Sequence, residues 1–119
     1  MDYKKEFQEF IQSMEAGQPV PSEAVGKLIV KMASYFSQAV SLAVKAEYAF
    51  NKKLAEFEGK VDENGKSLSS TKATSQAQAT PEYLDYISAK GDVVSLEQYI
   101  NALKSLQKSL ANEFSYSSV

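Results

Sequence analysis

Apolar residues recur at steps of three and four along three stretches of the chain, the spacing of a helix face. In the first stretch Tyr3, Phe7, Phe10, Ile11 and Met14 share one side, while Lys4, Lys5, Glu6, Glu9 and Glu15 fill the others. The pattern predicts a short helix over about 2–16. Gly17 stands where a helix ends, and Pro19 and Pro21 forbid continuation. In the second stretch Val25, Ile29, Met32, Phe36, Ala39, Ala43, Ala46, Phe50 and Phe57 step by four and three, with Lys53 the one interruption. A cap at Ser22 and an early Glu23 predict a helix over about 22–58, roughly 55 Å long at 1.5 Å per residue. The stripe has the spacing of a coiled-coil seam, and its alanine-rich middle lets a partner helix come close.

The third stretch opens at Thr80-Pro81-Glu82, a strong helix start, and runs to about Phe114 before the serine-rich tail at Ser115–Val119, which is expected to fray. Its apolar face moves. Tyr83, Tyr86, Ile87, Val93 and Val94 cluster on one side, and Leu96, Tyr99, Ile100, Leu103, Leu106, Leu110 and Phe114 cluster about 100° or more around the wheel. Either the helix bends at Gly91-Asp92 or its halves face different partners. Between the two long helices, residues 59–80 carry Asp62-Glu63-Asn64-Gly65 and then a Ser/Thr/Ala/Gln tract. That composition reads as a mobile loop or partly as a helical lead-in, which Ala73, Ala77 and Ala79 permit, and a mobile loop is expected.

The expected architecture is all-α: one domain with a short N-terminal helix and two long antiparallel helices, a helical hairpin of coiled-coil type. The apolar faces are wider than a two-helix seam needs, with Leu28, Tyr35, Val40, Leu42, Val44 and Tyr48 flanking the main stripe. The excess predicts a homo-oligomer, with Phe36, Phe50, Tyr83, Tyr86, Tyr99 and Leu103 as interface candidates. No apolar run approaches the ~18 residues of a membrane span. Met1–Phe10 is charged and amphipathic, unlike a secretory signal, so a cytoplasmic protein is expected.

Composition narrows the chemistry. The 119 residues contain no His and no Cys, and every basic residue is a lysine. The usual proton-transfer group near neutral pH is missing, as are the common zinc, iron–sulfur and thiol ligands and the bidentate arginine fork. The carboxylates are scattered with no paired constellation, so neither catalysis nor a cofactor is expected. Asp62, Glu63 and Asn64-Gly65 lack the alternating ligands and terminal Glu of a calcium loop, so no metal is expected.

Three features remain. Glu47 falls inside the apolar stripe of the second helix, near Phe36, Ala43, Phe50 and Leu54. It is expected to be a buried polar group, paired with a lysine such as Lys90, Lys104 or Lys108 or reaching water at an edge. Lys27, Lys31, Lys45 and Lys52 lie within about 60° of one another on the outer side of that helix, where they could meet phosphates as point charges or form an ordinary solvated face. The tyrosines could stack on single-stranded bases, or serve as core or interface anchors.

The stretch 43–53 (AVKAEYAFNKK), the Ser/Ala/Gln tract, and the run PEYLDYISAKGDVVSLEQYINALKSLQKSL from Pro81 onward resemble small helical proteins of phages and prophages that accompany recombination genes. The layout is similar to the recombination-mediator type of T-even phages over about residues 25–112. The resemblance implies an all-helical oligomer in a bacterial host cell that binds single-stranded DNA and helps load a recombinase. The chain departs from such a binder in having no Arg and a net charge of −2. Two functions follow: an oligomeric mediator of single-stranded DNA handling with Lys27, Lys31, Lys45 and Lys52 on the DNA, or a protein–protein adaptor or inhibitor, such as an anti-defence protein.

Overall fold

A computed structural model describes residues 1–117, with side chains as far as Glu113. Four helices follow one another: α1 (Tyr3–Glu15), α2 (Ser22–Glu58), α3 (Ser70–Ala77) and α4 (Pro81–Ser117). The long helices α2 and α4 run antiparallel. The fold is thus the all-helical hairpin that the spacing predicts, with one helix more than expected. Phe114 and the tail beyond it lie outside the described side chains.

Helix ends follow local chemistry. After α1, Gly17 takes a left-handed φ of 76°, and the amides of Gly17 and Gln18 donate to the carbonyls of Met14 and Ser13. This is how a glycine satisfies the last carbonyls of a helix. Pro21, rather than Ser22, occupies the capping position of α2, since its carbonyl accepts from the amides of Ala24 and Val25. At α4 the expected Thr80 cap is present: its Oγ1 accepts from the Tyr83 amide at 3.4 Å and donates to the Ala77 carbonyl at 2.6 Å.

Residues 59–80 are structured, which corrects the expected mobile loop. The Asp62 carboxylate accepts from the amides of Asn64 (2.8 Å) and Lys66 (3.0 Å), Gly65 has φ 76°, and Val61 pairs with Ser67 in a single antiparallel bridge. Asp62 is therefore a turn former, bonding its own backbone two and four residues on. Ser69 then caps α3 by accepting from the Lys72 amide at 3.2 Å, and α3 buries Ala73 and Ala77.

The chain forms two compact units, residues 1–38 with 94 onward, and residues 39–93. In the first, Tyr3, Val25, Met32, Leu96 and Leu103 are buried. Full burial of such side chains contributes roughly 1.5–3 kcal/mol each. Helix α1 closes this core with aromatic rings: Tyr3 meets Tyr35 and Tyr99 at 6.4 and 5.9 Å, and Phe7 stacks on Tyr99 at 4.1 Å. A Cβ at Gly26 would lie 3.3 Å from Gln107 Nε2, the far end of a flexible side chain that would have to give by a few tenths of an ångström. In the second unit the buried residues are Ala39, Phe50, Ala73 and Ala77, with Phe50 boxed by Tyr83 and Tyr86 at 5.1 and 5.7 Å. Helix α4 is unbroken through Gly91. Its Tyr83 and Tyr86 pack in the second unit, and its Leu96, Tyr99 and Leu103 pack in the first. The moving apolar face thus serves two different cores.

Candidate interaction surfaces

The four lysines of α2 do not share one environment. Lys27 pairs with Glu23 at 3.3 Å on the surface, with both side chains about four-fifths exposed. A pair so exposed contributes little to stability. Lys31 Nζ lies 2.6 Å from Glu6 Oε1, so it faces α1 and not the outer side expected from the wheel. The wheel places Lys31 correctly around α2. What it could not supply was the landing place of α1. Lys45 and Lys52 are exposed and in no ion pair among the described residues. Lys27 and Lys31 belong to the first unit, and Lys45 and Lys52 to the second.

The Glu6–Lys31 contact shifts both of its groups. Hydrogen bonding to Lys31 holds the Glu6 carboxyl below its ordinary value, against a smaller opposing effect of burial. The same bond raises Lys31. Burial, then the neighbouring Glu6 carboxylate, raises the Tyr35 phenol. The second Glu6 oxygen is buried without a hydrogen bond of good geometry, although the Tyr35 hydroxyl stands beside the carboxylate. Another such orphan is Glu82 Oε2, in the first turn of α4, where the helix dipole favours an acid.

Glu47 is exposed, which corrects its expected burial. The hairpin closes on Phe50, Tyr83 and Tyr86, and Glu47 lies about 60° round α2 from Phe50, far enough to reach water. The interface candidates are mostly internal. Leu103 and Phe50 are buried, Tyr83 and Tyr86 flank Phe50, Tyr99 sits between Tyr3 and Phe7, and Phe36 is half-buried.

The bare apolar surface is made by other residues. In the second unit Val44 (61%), Tyr48 (72%) and Leu84 (69%) are largely exposed, with Val40, Leu42, Val61 and Ile87 also open. In the first unit only Met1, Val30 and Val94 are comparable among the described residues. The sequence signal for Val40, Leu42, Val44 and Tyr48 was their place beside the main stripe. Ile87 shares the apolar face of the sequence pattern with Tyr83 and Tyr86, and Leu84, which follows Tyr83 by one residue, carries no such signal.

Among the described residues no group of three or more acids could hold a metal ion. No described helix is long and apolar enough to cross a membrane. Comparison of the chain with known protein families, with curated proteins and with solved structures returns no match.

Proposed function

We propose that the protein is a non-enzymatic helical accessory protein that works by assembly, through contacts of its helix faces with other protein chains. The exposed aliphatic and aromatic side chains of the second unit carry this reading. Exposed apolar side chains gathered in one unit mark an interaction site more often than ones scattered singly do. The reading agrees with the resemblance to phage-encoded helical oligomers and keeps the adaptor or inhibitor role open to it.

The single-stranded DNA reading stands second. It rests on Lys45 and Lys52, the two exposed lysines of the stripe that lie in no ion pair among the described residues. Two point charges per chain are few for a phosphate track, unless assembly multiplies them. Native mass by light scattering at low salt, with and without a fluorescent oligothymidine, tests both readings. The expected result is an assembled protein whose mass is unchanged by the oligonucleotide. A monomer at all micromolar concentrations overturns the assembly reading. Oligonucleotide binding that weakens with added salt, and whose salt slope flattens in a Lys45→Gln, Lys52→Gln variant, would put DNA handling first.

A further inference from the structure

The bare residues of the second unit are arranged on one side of its helix pair. On α2, Val40, Val44 and Tyr48 lie about 80° to 160° round the axis from the buried Phe50, at 100° per residue. On α4, Leu84 lies about 130° and Ile87 about 70° in the same sense from the midline between Tyr83 and Tyr86, the rings that meet Phe50. The helices are antiparallel, so equal turns of the same sense away from their contact line lead to the same side of the pair. Leu42 lies in the opposite sense and belongs to the other side.

This face has two further properties. Its five apolar side chains are between 38% and 72% exposed. Complete covering of these five side chains on two copies would remove on the order of 1,000 Å², the lower bound of a specific interface. Between the two apolar strips lie Glu47 and Lys90, both exposed, one acid and one base. Among the described residues neither is in an ion pair, and Lys90 Nζ sits 5.0 Å over the Tyr86 ring. The face is therefore apolar and charge-neutral, with opposite charges on its two helices. Such a surface meets a copy of itself without like-charge repulsion, and it offers a polyanion almost nothing.

We propose that Val40, Val44, Tyr48, Leu84 and Ile87 dock on the same residues of a second copy, about a two-fold axis parallel to α2 and α4. That axis lays α2 of one copy over α4 of the other. Every neighbouring pair of helices is then antiparallel, as in a four-helix bundle. It also brings Glu47 of each copy over Lys90 of the other, so both charges are paired at the moment they lose water. This inference rests on the assembly reading above and adds the surface, the partner and the symmetry.

The test is sedimentation equilibrium and light scattering of the full chain. The native protein is expected to have the mass of two chains and to dissociate on dilution. Val44→Asp is expected to be monomeric with unchanged helix content by circular dichroism, since Val44 is exposed within the chain. Glu47→Lys and Lys90→Glu are each expected to weaken the dimer by roughly tenfold, and the two together to restore it. A native protein that is monomeric throughout overturns both this inference and the assembly reading. A Val44→Asp variant that stays fully assembled overturns this surface and leaves the assembly reading standing. Failure of the double exchange to restore affinity overturns the two-fold arrangement.

Discussion

The two units use stretches of the same two helices and bury very different side chains. The first encloses Val25, Met32, Leu96 and Leu103 under the thirteen residues of α1, which contributes Tyr3 and Phe7. The second encloses three alanines and Phe50, and its covering helix α3 has eight residues and buries only Ala73 and Ala77. A pair of helices cannot hide a wide apolar face by itself, because each helix touches the other along one narrow stripe. A third helix completes the first core. In the second, the third helix is short and small-sided, and much of the apolar surface is left facing outward.

That contrast can be broken by mutation. The largest expected effect is Leu103→Ala, which should cost about 2–5 kcal/mol in urea unfolding, because it empties a closed site. Leu84→Ala, measured in the Val44→Asp background so that assembly does not contribute, should cost less than about 0.5 kcal/mol. Equal losses would mean that the two units are equally well packed. Next comes Phe50→Ala, at about 3 kcal/mol, since Phe50 is the one large buried side chain of its unit. A loss below about 1 kcal/mol would show that the box of Tyr83 and Tyr86 adds little.

A smaller effect belongs to the turn before α3. Gly65→Ala should cost about 1–2 kcal/mol, because a Cβ is strained at φ 76°. Amide exchange of residues 60–68 should rise with it, and unchanged exchange there would contradict the turn's role.

The last prediction concerns pH and the clasp of α1. The Glu6 carboxyl is held below its ordinary value of 4.5, so its stabilising effect is present above that value and is lost as pH falls through the lowered one. Lys31 and Tyr35 are both raised, so their contributions are complete below their ordinary values of 10.5 and 10.0 and are lost as pH rises through the raised ones. Exchange protection of α1 should therefore hold across the neutral range and fail at both extremes. Glu6→Gln should remove the acid-side dependence. An acid limb of the same size in that variant would assign it to another carboxylate.

Much of the architecture is legible in the residues. The steps of three and four in α2 and the Thr80-Pro81 start of α4 place both ends of α2 and the start of α4, while α4 runs three residues past its expected end at Phe114. The shift of the apolar face along α4 correctly signals two different environments for its halves. Helix α3 was only faintly legible, for a physical reason. Its only apolar signal is Ala73 and Ala77, one turn apart, and its cap Ser69 stands in a tract of other Ser and Thr. For Asp62 the sequence shows only that a calcium-loop pattern is lacking, and its work as a turn former shows once the amides of Asn64 and Lys66 are placed around it. Lys31 and Glu47 were misplaced for a shared reason. A wheel gives the angle of a side chain about its own helix and says nothing of where the neighbours lie.

The turn at Asp62–Lys66 has one more consequence. Its base is fastened by the Asp62 carboxylate and by backbone bonds between Asp62 and Lys66 and between Lys60 and Leu68. Its tip, Glu63-Asn64-Gly65, is exposed. Lengthening a closed loop is entropically cheap, about 0.6 kcal/mol for each doubling. The tip is thus a natural port of entry for a reporter: an epitope or a dye-bearing segment inserted after Asn64 would ride on the second unit and leave the helices as they are.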